Sequence, residues 1–292
     1  MKKNFYSIII PIKNQEKMVQ NNLIRLIRKL KKINFLANWE IILIDDGSTD
    51  KTIDKILQFK TKYKNIKLIQ NLKNKGKGYS IKKGIKFLDK KSKKVIMIDA
   101  DMPYLDSFNK FIIKLNKYDL VIIDRKNKNS RLINRDKNFY TYYRIFVGYI
   151  LNLIFRIFRL TSLKDTQAGL KGFDSSFKKI FKHVNTNGFL YDLEFLLILE
   201  KKKIYPKLIS CTFSVSQKSL ITFNFIVYKK IFLDLLVIIL NNLKKRYDLN
   251  KIWLFYLNIK LLFNYTGETA IYCSAEGATT QETLRQKGPL KY

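Results

Sequence analysis

Five short apolar runs punctuate the first 125 residues: 5–12 (FYSIIIPI), 40–45 (EIILID), 66–70 (IKLIQ), 95–99 (VIMID) and 119–124 (DLVIID). They are rich in Ile and too short for helices, so each reads as a buried strand. Between them, 16–32, 50–64, 77–90 and 105–117 have the length and polarity of covering helices. Strands alternating with helices in this way indicate βαβ units. The expected fold is therefore α/β, a mostly parallel sheet with helices on both faces. In such sheets ligands bind beyond the carboxyl ends of the strands. Three of the five runs end in acid there, at Asp45-Asp46, Asp99 and Asp124.

The pattern then changes. Residues 125–138 (RKNKNSRLINRDKN) are polar and densely basic and read as a loop. Over 143–160 the polar or small positions Arg144, Gly148, Asn152, Arg156 and Arg159 recur at helical spacing among Ile, Leu, Phe, Val and Tyr. This is an amphipathic helix with a narrow basic stripe, either a core helix with one wet edge or a helix lying in a membrane interface. A second such segment, 229–246, ends in Lys244-Lys245-Arg246, suited to an anionic headgroup layer. Phe225–Leu240 is interrupted by Lys229, Lys230 and Asp234, and 252–263 is too short, so no membrane span is expected. Residues 266–292 hold no Asn or Phe and only one Ile, and are set aside as foreign in style. The expected division is a catalytic domain over 1–218, amphipathic membrane-associating helices over 219–264 and an atypical tail over 265–292.

Charge sharpens this picture only in part. The 292 residues carry a formal net charge of +34, which invites a nucleic-acid reading. Yet the basic residues are 47 Lys against 10 Arg, alongside abundant Ile and Asn, as an AT-rich genome would impose. Base- and phosphate-reading surfaces favour Arg more strongly. Aromatic content of 14% excludes a disordered chain. Two cysteines, Cys211 and Cys273, without a secretory leader, exclude a disulfide scaffold.

The acids at the strand ends carry the chemistry. Asp45-Asp46-Gly47-Ser48-Thr49-Asp50 opens a helix and could be a simple cap. A carboxylate there can equally accept from a ribose hydroxyl or a base N–H. Asp99-Ala100-Asp101 sets two carboxylates around one small residue, hard oxygen ligands suited to Mg²⁺ or Mn²⁺. Asn74-Lys75-Gly76-Lys77-Gly78 precedes a helix, where glycine permits close backbone approach and the helix N-terminus favours an anion.

In order, IPIKNQE, IILIDDGSTDKT, NKGKGYSIKKGI, VIMIDADMPY, VIIDRK, LKDTQAGLKGF and FLYDLEFLL resemble family 2 glycosyltransferases. More narrowly they resemble the polyprenyl-phosphate (dolichyl-phosphate) sugar transferases, and DTQxGxK followed by YDLE resembles the dolichyl-phosphate glucosyltransferase branch. The likeness covers about residues 4–247. It implies a GT-A fold and an inverting transfer from a nucleotide-diphosphate sugar, UDP-glucose-like, to a polyprenyl phosphate. It also implies a peripheral position on the cytoplasmic face of a membrane and no nucleic-acid partner. Carried over by position, Pro11, Glu16, Asp45 and Asp46 hold base and ribose, with Lys75, Gly76, Asp99 and Ala100 also on the donor. Asp99 and Asp101 form the metal-handling pair, and Arg125 binds donor or acceptor phosphate. Asp165, Thr166 and Gln167 lie near the sugar, with Asp192 and Glu194 on the next helix. Three departures stand out. Gln15 takes the place of the usual first Glu, with Glu16 beside it. Pro103 removes a polar residue after the acidic pair. Ile123-Asp124-Arg125 replaces the family's GSR.

A phosphate acceptor is already anionic and needs no strong base, which suits a chain whose single histidine, His183, has no triad partner. A glycan-hydroxyl acceptor would need one, and Asp192 or Glu194 would be the candidates. A soluble transferase of that kind, or a basic nucleic-acid-binding protein, are the competing readings.

Overall fold

The computed structural model describes residues 4–33, 38–133, 148–214 (152, 156 and 159 excepted) and 225–243 (side chains at 225, 226 and 243 excepted). The 125–138 loop beyond residue 133, the start of the 143–160 helix, the 244–246 cluster and the tail lie outside the described residues. The described residues belong to one compact unit.

The predicted alternation is present. β1 (Phe5–Ile12), α1 (Val19–Lys32), β2 (Asn38–Asp45), α2 (Thr52–Lys60), β3 (Ile66–Gln70), α3 (Lys77–Lys86), β4 (Ser92–Met97), α4 (Phe108–Lys117) and β5 (Leu120–Ile123) follow in sequence. α4 is preceded by a 3₁₀ turn, Leu105–Ser107. After β5 come β6 (Arg131–Ile133), β7 (Lys171–Asp174), a 3₁₀ segment Ser175–His183, α5 (Tyr191–Lys201), β8 (Lys207–Ile209), β9 (Thr212–Ser214) and α6 (Phe225–Leu243). The main sheet has seven strands in the order β3-β2-β1-β4-β7-β5-β8, and β6 pairs with β9 beside it. β1 is parallel to β2 and β4, while β7 runs antiparallel between β4 and β5.

Period-2 alternation explains the two buried faces. Ile8, Ile10, Leu43 and Ile96 point to one core with α1 and α4, where Leu23, Leu26 and Phe111 meet them. Ile9, Ile42, Ile44 and Met97 point to the other, against Ile81 of α3 and Phe195 of α5. α1 buries Val19, Leu23, Leu26, Ile27 and Leu30, the stripe an i, i+4, i+7 pattern dictates. Strand register sets where the acids surface. Ile12 faces Asp45 across β1–β2, and Ile9 faces Met97 across β1–β4. Asp45 and Asp99 thus emerge at one edge.

A third cluster joins Phe155 and Leu160 to Leu190, Leu193 and Leu197, and to Ile231, Leu235 and Ile238 of α6. The described helical residues between 148 and 157 therefore fall on two sides. Leu151 and Ile154 pack inward, while Tyr149 and Ile157 remain 68% and 65% exposed. Among the described residues, no helix is long and apolar enough to cross a membrane.

α6 carries a buried carboxyl, Asp234, which accepts from the Gly188 N–H. Burial, reinforced by the Glu194 charge, pushes it up to about 7 from its ordinary 3.8. The folded chain then holds a proton that the unfolded chain releases, so this group favours folding in acid and loses that contribution as pH rises from about 4 through 7. Asp234→Asn keeps the shape without the charge. It is expected to raise stability at pH 8 by about 1–3 kcal/mol and far less at pH 4, read from denaturant midpoints.

Candidate active site at the carboxyl edge of the sheet

The first part of the site is built around Asp46. Its Oδ1 accepts from Asn71 Nδ2 and the Lys75 N–H, both at 2.9 Å, and its Oδ2 accepts from the Gly76 N–H at 2.9 Å. Asp46 therefore shapes the 74–76 turn, with both oxygens engaged. Gly76 has φ 101°, and a Cβ there would lie 2.4 Å from the Asn187 carbonyl oxygen. No other residue fits that passage. Lys75 stacks its ammonium on Tyr79, 4.8 Å from the ring centroid.

Asp45 is different. Its Oδ2 accepts from the Ser48 N–H at 3.1 Å, whereas its Oδ1 is buried and has no hydrogen-bond partner among the described residues. The same holds for Oε1 of Gln15. Two buried acceptors without donors mark a place where a ligand's N–H or O–H groups would be satisfied. Pro11 lies one residue short of the β1 end and pairs with Ile44. Glu16 is turned to the neighbouring loop, where its Oε2 accepts from the Lys51 N–H at 3.3 Å and its own N–H donates to Asp50. Gln15, a departure from the family pattern, belongs to this edge through its bonds to Lys13 and Thr52.

The second part is a network of opposite charges. Lys77, the first residue of α3, places its Nζ 2.6 Å from Asp99 Oδ1. Burial opposes the charge on Asp99, but Lys77, Lys171 and Arg125 outweigh it and hold the carboxyl below its usual range. Burial likewise opposes the charge on Lys77, and Asp99, Asp192 and Asp101 outweigh it and keep the amine protonated. Ala100 accepts through its carbonyl oxygen from Asn22 Nδ2 at 2.9 Å, which fixes the acidic pair to α1. Gly169 crosses so close to Asp99 that a Cβ would lie 1.8 Å from Oδ2.

Arg125 forms a bidentate pair with Asp165, Nε to Oδ2 at 2.7 Å and Nη2 to Oδ1 at 2.6 Å, and its backbone N–H adds a third bond at 3.0 Å. That fork uses two of the guanidinium's N–H donors. Burial works against both charges, yet the pairing prevails and holds Asp165 below the usual carboxylate range. Gln167 donates its backbone N–H to Asp165 at 3.3 Å and its Nε2 to Thr166. Lys171, only 1% exposed within β7, pairs with the equally buried Asp192 at 2.9 Å. Glu194 accepts from Asn185 and Thr186 through four bonds of 2.8–3.2 Å, and so holds the loop that passes over Gly76.

The structure thus gathers Asp99, Asp101, Arg125, Asp165 and Asp192 and joins them through Lys77 and Lys171. Neither lysine is among the sequence candidates. The signal is present nonetheless: each lies inside a motif, after Gly76 and as the last residue of DTQAGLK. Among the described residues no group of three or more His, Cys, Asp or Glu side chains is arranged to hold a metal. Asp99, held ionised and already drawing the Lys77 ammonium, with Asp101 two residues on, nevertheless fits Mg²⁺ or Mn²⁺, which take few protein oxygens and complete their shell from phosphate and water.

The Glycosyl transferase family 2 description matches residues 7–181, which span the sheet strands β1 to β5 and β7 and the acids at their edge. The chain belongs to that family. Curated relatives include dolichyl-phosphate beta-glucosyltransferases. ALG5D of Trichomonas vaginalis is 30% identical over 213 residues, 68% of this chain and 63% of the relative. The Saccharomyces cerevisiae protein is 30% identical over 216 residues, 68% and 64%. The Dictyostelium discoideum protein is 31% identical over 214 residues, 68% and 63%. The chain thus matches less than two thirds of the length of these relatives. Among solved structures, glucosyl-3-phosphoglycerate synthase from Mycobacterium tuberculosis, in complex with Mn²⁺, uridine diphosphate and phosphoglyceric acid, superimposes with a TM-score of 0.56. It is 14% identical and covers 81% of this chain and 78% of that one. The likeness is one of fold, the GT-A architecture.

Gly169→Ala is expected to displace the Asp99 carboxylate while leaving the sheet intact. The Lys77–Asp99 pair would loosen and the Asp99 carboxyl would titrate closer to its ordinary value. Carboxyl-detected NMR titration checks this, with unchanged far-UV circular dichroism as control.

Proposed function

We propose that this chain transfers a sugar from a nucleotide-diphosphate donor, UDP-glucose-like, to the phosphate of a polyprenyl or dolichyl lipid at a membrane surface. The observation that carries the reading is the engagement of the two acids a hydroxyl acceptor would need. Asp192 is committed to Lys171 and Glu194 to Asn185 and Thr186, each buried. A lipid phosphate requires no deprotonation, so the site can work by positioning and charge. The names of the curated relatives agree with this acceptor.

In this reading Asp45 Oδ1 and Gln15 Oε1 accept from the base or ribose, with Pro11 and Glu16 bordering that pocket. The 74–76 turn, shaped by Asp46, sets Lys75 and Lys77 toward the donor. Asp99 and Asp101 would hold a divalent cation, which supplies charge neutralisation at the diphosphate when bound. Lys77 exchanges Asp99 for the diphosphate as negative charge grows on the departing oxygen. The acceptor phosphate oxygen bonds to the anomeric carbon as the carbon–oxygen bond to the diphosphate breaks, its electron pair leaving with the diphosphate. In-line displacement inverts the configuration. Arg125, aligned by Asp165, faces phosphate, and Gln167 the sugar. The outward apolar side chains Tyr149 and Ile157 rest on the bilayer.

Assays with UDP-glucose and a short polyprenyl phosphate, followed by mass spectrometry of the lipid, test the reading; a product formed only on a glycan hydroxyl would overturn the acceptor. Asp101→Ala is expected to lower turnover by about 10²-fold or more without loss of fold. Lys77→Met is expected to weaken nucleotide-diphosphate binding, and to raise the Asp99 carboxyl toward its ordinary range. Ile157→Glu is expected to reduce flotation with anionic liposomes while leaving turnover of a short water-soluble acceptor unchanged.

A further inference from the structure

A groove of ≈ 900 Å³ runs between α3 and the 3₁₀ segment Ser175–His183. Lys82, Lys83 and Lys86 line one wall and Lys178, Lys179 and Lys182 the other. No acidic residue lines it, and among the described residues none of the six lysines forms an ion pair. Its floor is apolar, formed by Ile85, Phe181 and Val184.

The walls are braced from within. Lys82 Nζ donates to the carbonyls of Val184 at 3.0 Å and Asn185 at 3.3 Å, which ties α3 to the opposite wall. Lys83 Nζ donates to the Gln70 carbonyl at 2.7 Å and to Asn71 Oδ1 at 2.9 Å. The remaining four lysines are exposed and reach the groove on flexible stems. Like charges facing one another across a concave, partly apolar channel repel and focus a positive potential into it. A counter-anion removes that cost. Ammonium groups meet phosphate as point charges and make no demand for planar bidentate geometry.

We propose that this groove is a second anion site, for a soluble compound carrying several clustered phosphate groups. Its lining has the opposite sign to the acid-bearing sheet edge, so it does not duplicate the donor pocket. Its concave shape and volume suit a small ligand; a bilayer needs a flat or protruding face. Tyr79 and Asn187 line it too, and the Tyr79 N–H donates to the Asn187 carbonyl at 3.1 Å, the same carbonyl that closes over Gly76. A ligand bridging the walls would brace that turn from behind.

Inorganic tripolyphosphate is the probe, titrated calorimetrically into the full chain with UDP present at saturation. Binding that raises the melting temperature and weakens with salt is expected. Replacing Lys86, Lys178, Lys179 and Lys182 together by Ala is expected to weaken binding about tenfold or more and leave UDP binding unchanged. The control replaces four exposed lysines elsewhere, Lys32, Lys60, Lys62 and Lys64, and is expected to change affinity less than about threefold. Equal losses in the two variants would reduce the effect to net charge and overturn the site. Unchanged binding by the groove variant would overturn it as well. Binding to anionic phospholipid vesicles without binding to tripolyphosphate would overturn the soluble ligand.

Discussion

The arrangement depends on one carboxylate that accepts hydrogen bonds through both of its oxygens from within the chain. Asp46 gives both oxygens to the turn that leads into α3, and in doing so decides where Lys77 begins its helix. From that point the consequences propagate in two directions. Lys77 reaches Asp99, which is pressed against Gly169, so the turn between β3 and α3 is coupled to the chain entering β7. Gly76 passes beneath Asn187, whose loop is held by Glu194 of α5. Residues scattered over some 150 positions of sequence thus share one geometry because backbone donors are satisfied by two buried acids.

The site is a case of charges made tolerable by mutual pairing. Burying Asp192 or Lys171 alone would be prohibitive, and each is present because the other is 2.9 Å away. Such pairs add little net stability compared with an apolar pair of the same shape. What they provide is fixed orientation. Asp165 holds Arg125 in a fork that cannot rotate freely, and Lys77 holds Asp99 ionised. Preorganised charge of this type is what stabilises charge that develops in a transition state.

The strands β1 to β5 and helices α1 to α4 were legible from period and run length, because buried parallel strands are continuous apolar runs and their helices carry clear stripes. β7 was not. Its KGFD carries a lysine and a glycine, and it is a strand only because β4 and β5 leave a gap that an antiparallel segment fills. β6, β8 and β9 are three residues each, below the length at which alternation is informative. At the carboxyl edge, motif order singled out Asp45, Asp99, Asp101, Arg125 and Asp165, but not the lysines that join them, Lys77 and Lys171. How each acid is engaged was not legible there: Asp45 and Asp46 are adjacent and chemically identical, yet Asp46 has both oxygens taken by Asn71 and the 75–76 backbone while Asp45 Oδ1 has no hydrogen-bond partner among the described residues. The exposed face of the 148–157 helix was readable as apolar. Which side of it docks on α6 depends on tertiary packing that no local pattern contains.

The Arg125–Asp165 pair has a consequence for how such a chain can diversify. It joins residues 40 positions apart, so the chain leaves the sheet edge and returns to it through the same clasp. The closure entropy of a flexible loop grows only with the logarithm of its length, about 0.6 kcal/mol for each doubling. Between the feet of this excursion, Arg131–Ile133 pair with β9 and Phe155 and Leu160 pack against α5 and α6, so changes of length come at small thermodynamic cost only outside those contacts, while β1, β2 and β4 stay in register. The clasp therefore keeps such changes away from the strands that lead to Asp45 and Asp99.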